Sequence, residues 1–249
     1  MAARAATAAA MGFREQRRRP LLLILLVFVP VYVVTRSIAE TQPTPRRFTL
    51  PGDLLVTTTM RELHGAIMAG MAIAFVAGLC GLFVMQAALD GDRRLVLAGF
   101  RPGETVLARL AVLLADTALV VAVSLAATAF YFEPASWPRF GLAALLIGCI
   151  YAPLGALLGA VMSRLAATYL MLFLVMTDLG IVQNPMFGSG TPARWAVFLP
   201  GYGPMRVMLD GAYSSPFHAG AELALSVGWT AALGLAVYRT LGRSVARRS

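Results

Sequence analysis

Residues 65–89, GAIMAGMAIAFVAGLCGLFVMQAAL, run for twenty-five positions without one charged side chain, and residues 90–105, DGDRRLVLAGFRPGET, follow at once with six. A helix needs about 20 apolar residues to cross the hydrocarbon core of a bilayer. The first stretch is therefore long enough to span, and the second is where the chain must leave the membrane. Working outward, five further stretches have the same character: roughly Pro20–Ile38, Val106–Phe130, Phe140–Met162, Leu165–Val182 and Ala219–Tyr238. The expected fold is an all-α integral membrane protein of six transmembrane helices, with only Ser163 and Arg164 between the fourth and fifth.

Composition excludes a soluble globule. Only 13% of the 249 residues are charged and 59% are hydrophobic, against about 25% charged in ordinary soluble domains. All 21 basic residues are arginine. A P-loop uses a lysine to reach the β- and γ-phosphates, so this chain carries no ordinary Walker A site. It also holds no HExxH or GxSxG pattern. His64 and His218 lack metal-ligand spacing, and Cys80 and Cys149 fall inside apolar runs, where free thiols behave as small apolar residues. Neither a metal nor a cofactor is expected in this chain.

Arginine placement orients the spans. With both termini in the cytoplasm, the inside segments hold fourteen arginines and the outside segments seven, as the preference for basic residues on the cytoplasmic side requires. Residues 1–19 then form a basic cytoplasmic arm: the run after them has no small-residue cleavage site, which separates the arm from a signal peptide. Arg14, Arg17, Arg18 and Arg19 face anionic headgroups, making lipid the partner of this charge. No nucleic-acid partner is expected. Residues 20–249 form a single six-helix transmembrane domain with two long outer connections. Residues 39–64, with Pro43, Pro45 and Pro51, read as an extended loop. Residues 183–218 read as broken or interfacial helices, since irregular backbone cannot face lipid.

Three features inside this frame carry chemistry. Residues 90–105 fit either a plain amphipathic connector or a surface that lies on the membrane or docks a partner, with Leu95, Leu97 and Phe100 as its apolar edge. Asp116 and Asp178 sit within spans, where a carboxylate must face the bundle or a water-filled cavity. They are either polar points on a translocation path or helix–helix hydrogen bonds, for example to Thr117 or Thr177. Gly155–Gly159 forms a GxxxG pair, expected to serve packing within the chain.

The stretch DRRLVLAGFRPGETVLARLAVLLAD, residues 92–116, resembles the cytoplasmic segment of the second class of ABC exporter permeases, which move drugs, polysaccharides and lipids. Asp92, Arg93 and Arg94 match the charged lead-in, Leu95 and Leu97 the leucine-rich turn, Arg101 and Pro102 the break, and Arg109 the later basic residue. The lead-in acid is more often Glu, and the Gly-Thr common after the basic pair is absent here. FLPGYGPMRVMLDGAY, residues 198–213, resembles the family's element before the last span.

The resemblance implies a multi-pass protein of the bacterial plasma membrane. In it, residues 90–105 form a coupling helix that docks into a separate ABC ATPase subunit, with Asp92, Arg93, Arg94, Leu97, Phe100 and Arg101 at the contact. Two ATPase copies, binding ATP and Mg²⁺, and a second permease copy or a related permease are the implied partners. A stand-alone proton-coupled transporter using Asp116 and Asp178, and a non-transporting scaffold, are the competing classes.

Overall fold

The computed structural model describes residues 20–97, 102–187 and 190–246. The helices are α1 (Pro20–Glu40), α2 (Met60–Leu97), α3 (Pro102–Ala129), α4 (Trp137–Val161), α5 (Arg164–Val175), α6 (Tyr202–Tyr213) and α7 (Gly220–Ala246). A π-helical turn, Met176–Val182, continues α5, and a short 3₁₀ segment, Arg194–Phe198, precedes α6. Among the described residues, five stretches are long and apolar enough to cross a membrane: Met60–Ala87, Val106–Ala129, Trp137–Val161, Arg164–Val182 and Gly220–Leu241. The chain is a mostly helical, multi-pass membrane protein. The first expected span is helical over its whole length, as α1.

The boundaries follow local chemistry. α2 starts at Met60, before the charge-free run, because Thr59 and Glu62 cap it reciprocally. Glu62 donates its backbone N–H to Thr59 Oγ1 at 3.3 Å, and Glu62 Oε2 accepts from the Thr59 N–H at 3.5 Å and the Thr58 hydroxyl at 2.6 Å. α3 begins on Pro102, whose missing N–H costs nothing in a first turn, with Glu104 beside the positive end of the helix dipole. α7 outruns its expected end at Tyr238 by two turns, because its last residues, Arg239 and Arg243 among them, are compatible with helix once outside the apolar layer.

One expectation is corrected. Residues 39–64 are not a simple extended loop: they hold a small β-hairpin on the otherwise helical fold. Pro45–Thr49 (β1) and Leu55–Thr59 (β2) pair antiparallel, with Arg47 opposite Thr57. The reversal runs through Pro51–Asp53, where Gly52 has φ of 73° and Asp53 of 58°. Glycine and aspartate tolerate that left-handed region. The strands are rich in threonine and β-branched or aromatic residues, which suit a pleated surface.

α2 is the central helix. Its spanning window is 78% buried within the chain, against 17% for α7, and its contact with α4 is the most extensive between any two elements. The two backbones meet through glycine. A Cβ on Gly155 would overlap the Gly78 carbonyl, one on Gly81 would overlap the Ala152 carbonyl, and one on Gly159 would come within 2.8 Å of the Leu82 oxygen. The Gly155–Gly159 pair is thus spent on packing inside the chain. Around this seam Ile73, Ile147, Ile150, Met171 and Met205 fill a common core.

The bundle has two distinct ends. At one, the hairpin, residues 130–136 and residues 183–218 interlock. Thr49 N donates to Gly190 O at 3.4 Å, Ala135 N to Ala212 O at 2.9 Å and Ser136 N to Gly211 O at 2.8 Å. Arg46 reaches Met186 O at 2.9 Å. Phe48, Phe132, Phe140 and Tyr213 form an aromatic cluster beneath, with Tyr213 edge-on to Phe48 at 5.4 Å between centroids. At the other end, Arg164 donates to Gln86 at 3.2 Å and lies over the Phe83 ring, holding the tight α4–α5 turn against α2.

Because a backbone carbonyl cannot retreat like a flexible side chain, Gly155→Ala is expected to lower stability by about 3 kcal/mol, the upper end of ordinary overpacking. Gly228→Ala on α7, where no atom lies within 4 Å of an added Cβ, should leave it unchanged or slightly higher. Thermal unfolding of the two variants in the same detergent measures the difference.

Candidate functional site

Asp178 organises one polar cluster. It lies in the π-helical turn, 5% exposed. Its Oδ2 accepts the Tyr151 hydroxyl at 2.6 Å and the Gly201 N–H at 2.9 Å, and its Oδ1 accepts Gln183 Nε2 at 3.2 Å. One carboxylate thus ties together α4, the end of α5 and the start of α6. Gly201 has room for no more than a hydrogen: an added Cβ would meet Leu179, the Tyr151 hydroxyl and Asp178 Oδ1. The donor set makes the site a carboxylate holder, with donors converging from three directions.

A second cluster sits at the hairpin end. Asp210 on α6 is fully buried and accepts from Arg139 of α4 at 3.1 Å. Arg139 also donates to the carbonyls of Ser214 and Ser215, both at 2.7 Å, and of Pro216 at 3.0 Å. The planar fork of guanidinium donors suits such a task, and no lysine could fill as many acceptors. His218 approaches Asp210 Oδ1 through Nδ1 at 3.4 Å, and the Ser214 hydroxyl lies 3.2 Å from that same nitrogen. A nucleophile–base–acid relay needs the serine and the acid on opposite ring nitrogens, so this Ser–His–Asp grouping fastens a loop and does not build a relay.

Arg206, also on α6, donates to Thr49 O at 2.6 Å and so pins the hairpin from below. Burial lowers its pKa from the ordinary guanidinium value, opposed by Tyr202, Glu222, Asp53 and Asp210 nearby. Burial, then the charge of Glu62, pushes the Tyr213 phenol upward. α6 is thus a buried short helix studded with charge, each charge anchoring a different connection.

Among the predicted residues, Asp92, Arg93, Arg94 and Leu97 occupy the last turns of α2, with side chains beyond the described part, and Phe100 and Arg101 lie outside the described residues. Asp116 is 5% exposed on α3, within electrostatic reach of Cys80 on α2. Thr117 turns its hydroxyl back to Leu113 O at 2.8 Å. Asp178 bonds across helices, to Tyr151 and not to Thr177. Both cysteines are free. Among the described residues, no three His, Cys, Asp or Glu side chains gather closely enough to hold a metal ion.

Sequence reasoning missed Tyr151, Gln183 and Gly201 around Asp178, and the Arg139–Asp210–His218 set. Opposite signs isolated in apolar surroundings, Arg139 in SWPRFGL and Asp210 in VMLDGAY, were the available signal for the second. The first had none beyond a lone phenol within a span.

A scan against protein-family models found no matching family, and a search of curated proteins found no match.

Removing Arg139 leaves Asp210 buried without its cation. Arg139→Ala is expected to cost about 3 kcal/mol, and Arg139→Lys to recover only part of it because the three loop carbonyls compete for fewer donors. Denaturation of the purified variants reads both, and an Arg139→Ala variant as stable as the parent would show that the pair contributes nothing.

Proposed function

We propose that the chain is the membrane-spanning subunit of an ATP-driven exporter, with six spans, both termini in the cytoplasm and α1 as the first span. The observation that carries the reading is α2. It runs unbroken for 38 residues, about 57 Å at ~1.5 Å per residue, roughly twice the hydrocarbon thickness. The helix locked most firmly into the core therefore extends into the charged stretch 90–105 without a flexible joint before Leu97. A push delivered there is transmitted to the glycine seam with α4.

In this reading, two ATPase subunits bind ATP and Mg²⁺, and a second permease completes the translocation path. Closure of the ATPases bears on Asp92, Arg93, Arg94, Leu97, Phe100 and Arg101, with the charges steering and Leu97 and Phe100 filling the cleft. Coupling requires that the ATPase bind the two permease conformations with different affinity. The interlocked end, with the hairpin and residues 183–218, faces outward, and the arginine-rich end faces the cytoplasm, in keeping with the positive-inside preference. The tight fit of donors around Asp178 favours a structural role for it over an exchangeable proton site.

Purification of the protein in its native complex is expected to bring down an ATP-binding subunit, and its absence would refute the reading. A cysteine placed at Phe100 should cross-link to that subunit. Arg93→Ala with Arg94→Ala should reduce ATP-driven transport at least tenfold without changing the amount of folded protein in the membrane. Transport that continues without any ATPase and collapses on Asp116→Asn would instead favour the proton-coupled class.

A further inference from the structure

We propose that the π-helical turn Met176–Val182 and the carboxylate of Asp178 form a two-state hinge that seats or releases α6, and through it the hairpin end of the bundle. As an outer gate the hinge rests on the permease reading; as a hinge it stands on its own geometry.

The turn is wound one residue wider than an α-helix, with Gln183 N donating to Asp178 O five residues back at 2.9 Å. π-turns are rare, and such turns are enriched at functional sites. Locally disfavoured backbone persists where its surroundings hold it. Here the holder is the side chain of Asp178 itself, bonded ahead to Gly201, across to Tyr151 and onward to Gln183. Relaxing the turn to α-helical winding rotates α5 by about 100° relative to the chain beyond Val182, the angle of one residue at 3.6 per turn. That rotation removes Asp178 from Gly201.

Two observations show room for a second state. Gln183 Oε1 is buried with no partner among the described residues, so the seated state leaves an acceptor unsatisfied, which costs free energy. The turn also faces α2 through Gly180, whose nearest neighbours are the side-chain ends of Met71 and Met176. Methionine repacks easily around a changing shape.

The consequence of release is set by what α6 carries. Arg206 holds the hairpin at Thr49, and Asp210 holds Arg139 and the 214–218 loop. Unseating the first turn of α6 therefore loosens all three connections at that end together.

Amide hydrogen exchange on the purified full chain tests the hinge. Asp178→Asn, which keeps the shape but offers one acceptor oxygen in place of two, should speed exchange at Gly201 and at residues 179–183 at least tenfold. Tyr151→Phe, which removes one donor, should do so a few-fold. Amides along the α2–α4 seam should be unchanged in both. Unaltered exchange at Gly201, or acceleration that extends equally to the seam, would overturn the hinge. The measurement needs no ATPase, so its failure counts against the hinge alone, while failure to recover an ATPase counts against the exporter reading alone.

Discussion

The architecture depends on the absence of side chains where α2 meets α4. In lipid there is no hydrophobic gain from bringing one apolar helix against another, so association relies on close van der Waals approach and on polar contacts. Gly81, Gly155 and Gly159 allow carbonyl oxygens of one helix to sit where a Cβ of the other would be, and Gly78 makes room for the Met171 side chain of α5. This contact fixes the central pair, and the other elements pack around it. α1 and α3 lie on α2, α6 lies on α4, and α5 and α7 are peripheral, with most of their spanning windows uncovered by the rest of the chain. Gly65 repeats the device at α1, where an added Cβ would meet Ile38.

Polar groups inside such a bundle have few ways to be satisfied, and this chain uses most of them. Thr35, Thr117, Thr128 and Thr230 return their hydroxyls to the carbonyl four residues back. Asp178 recruits donors from three elements, and Asp210 is matched by a guanidinium. At the hairpin end, Arg46, Arg139, Arg206 and Asp210 tie three connections together without the help of a continuous apolar face.

Most of the helical frame was legible because span length and apolarity are set by the bilayer and hardly depend on neighbours. The α4–α5 hairpin at Ser163 was readable for the same reason. Boundaries governed by a cap, as at Thr59 and Glu62, extended beyond the apolar run that was used to find them. The β-hairpin was obscured by its prolines, although LPGDL between RRFT and LVTTT is a turn between strand-forming residues. The polar clusters were least legible: that Tyr151 meets Asp178, or Arg139 meets Asp210, depends on how helices far apart in sequence are rotated about their axes. No local pattern encodes that rotation. The reading of residues 90–105 as a docking segment rests on resemblance, beside a backbone that is helical up to Leu97 and again from Pro102.

The length of α2 makes it a lever with its fulcrum at the glycines. From Gly81 to its end at Leu97, the arm is about 24 Å long, so a tilt of about 10° at the crossing would carry the tip by about 4 Å. On the other side of the fulcrum the helix runs back to its cap at Thr59, directly after β2. Any such tilt would therefore be felt with opposite sign at the hairpin, and the two ends of the molecule are joined by one rigid rod.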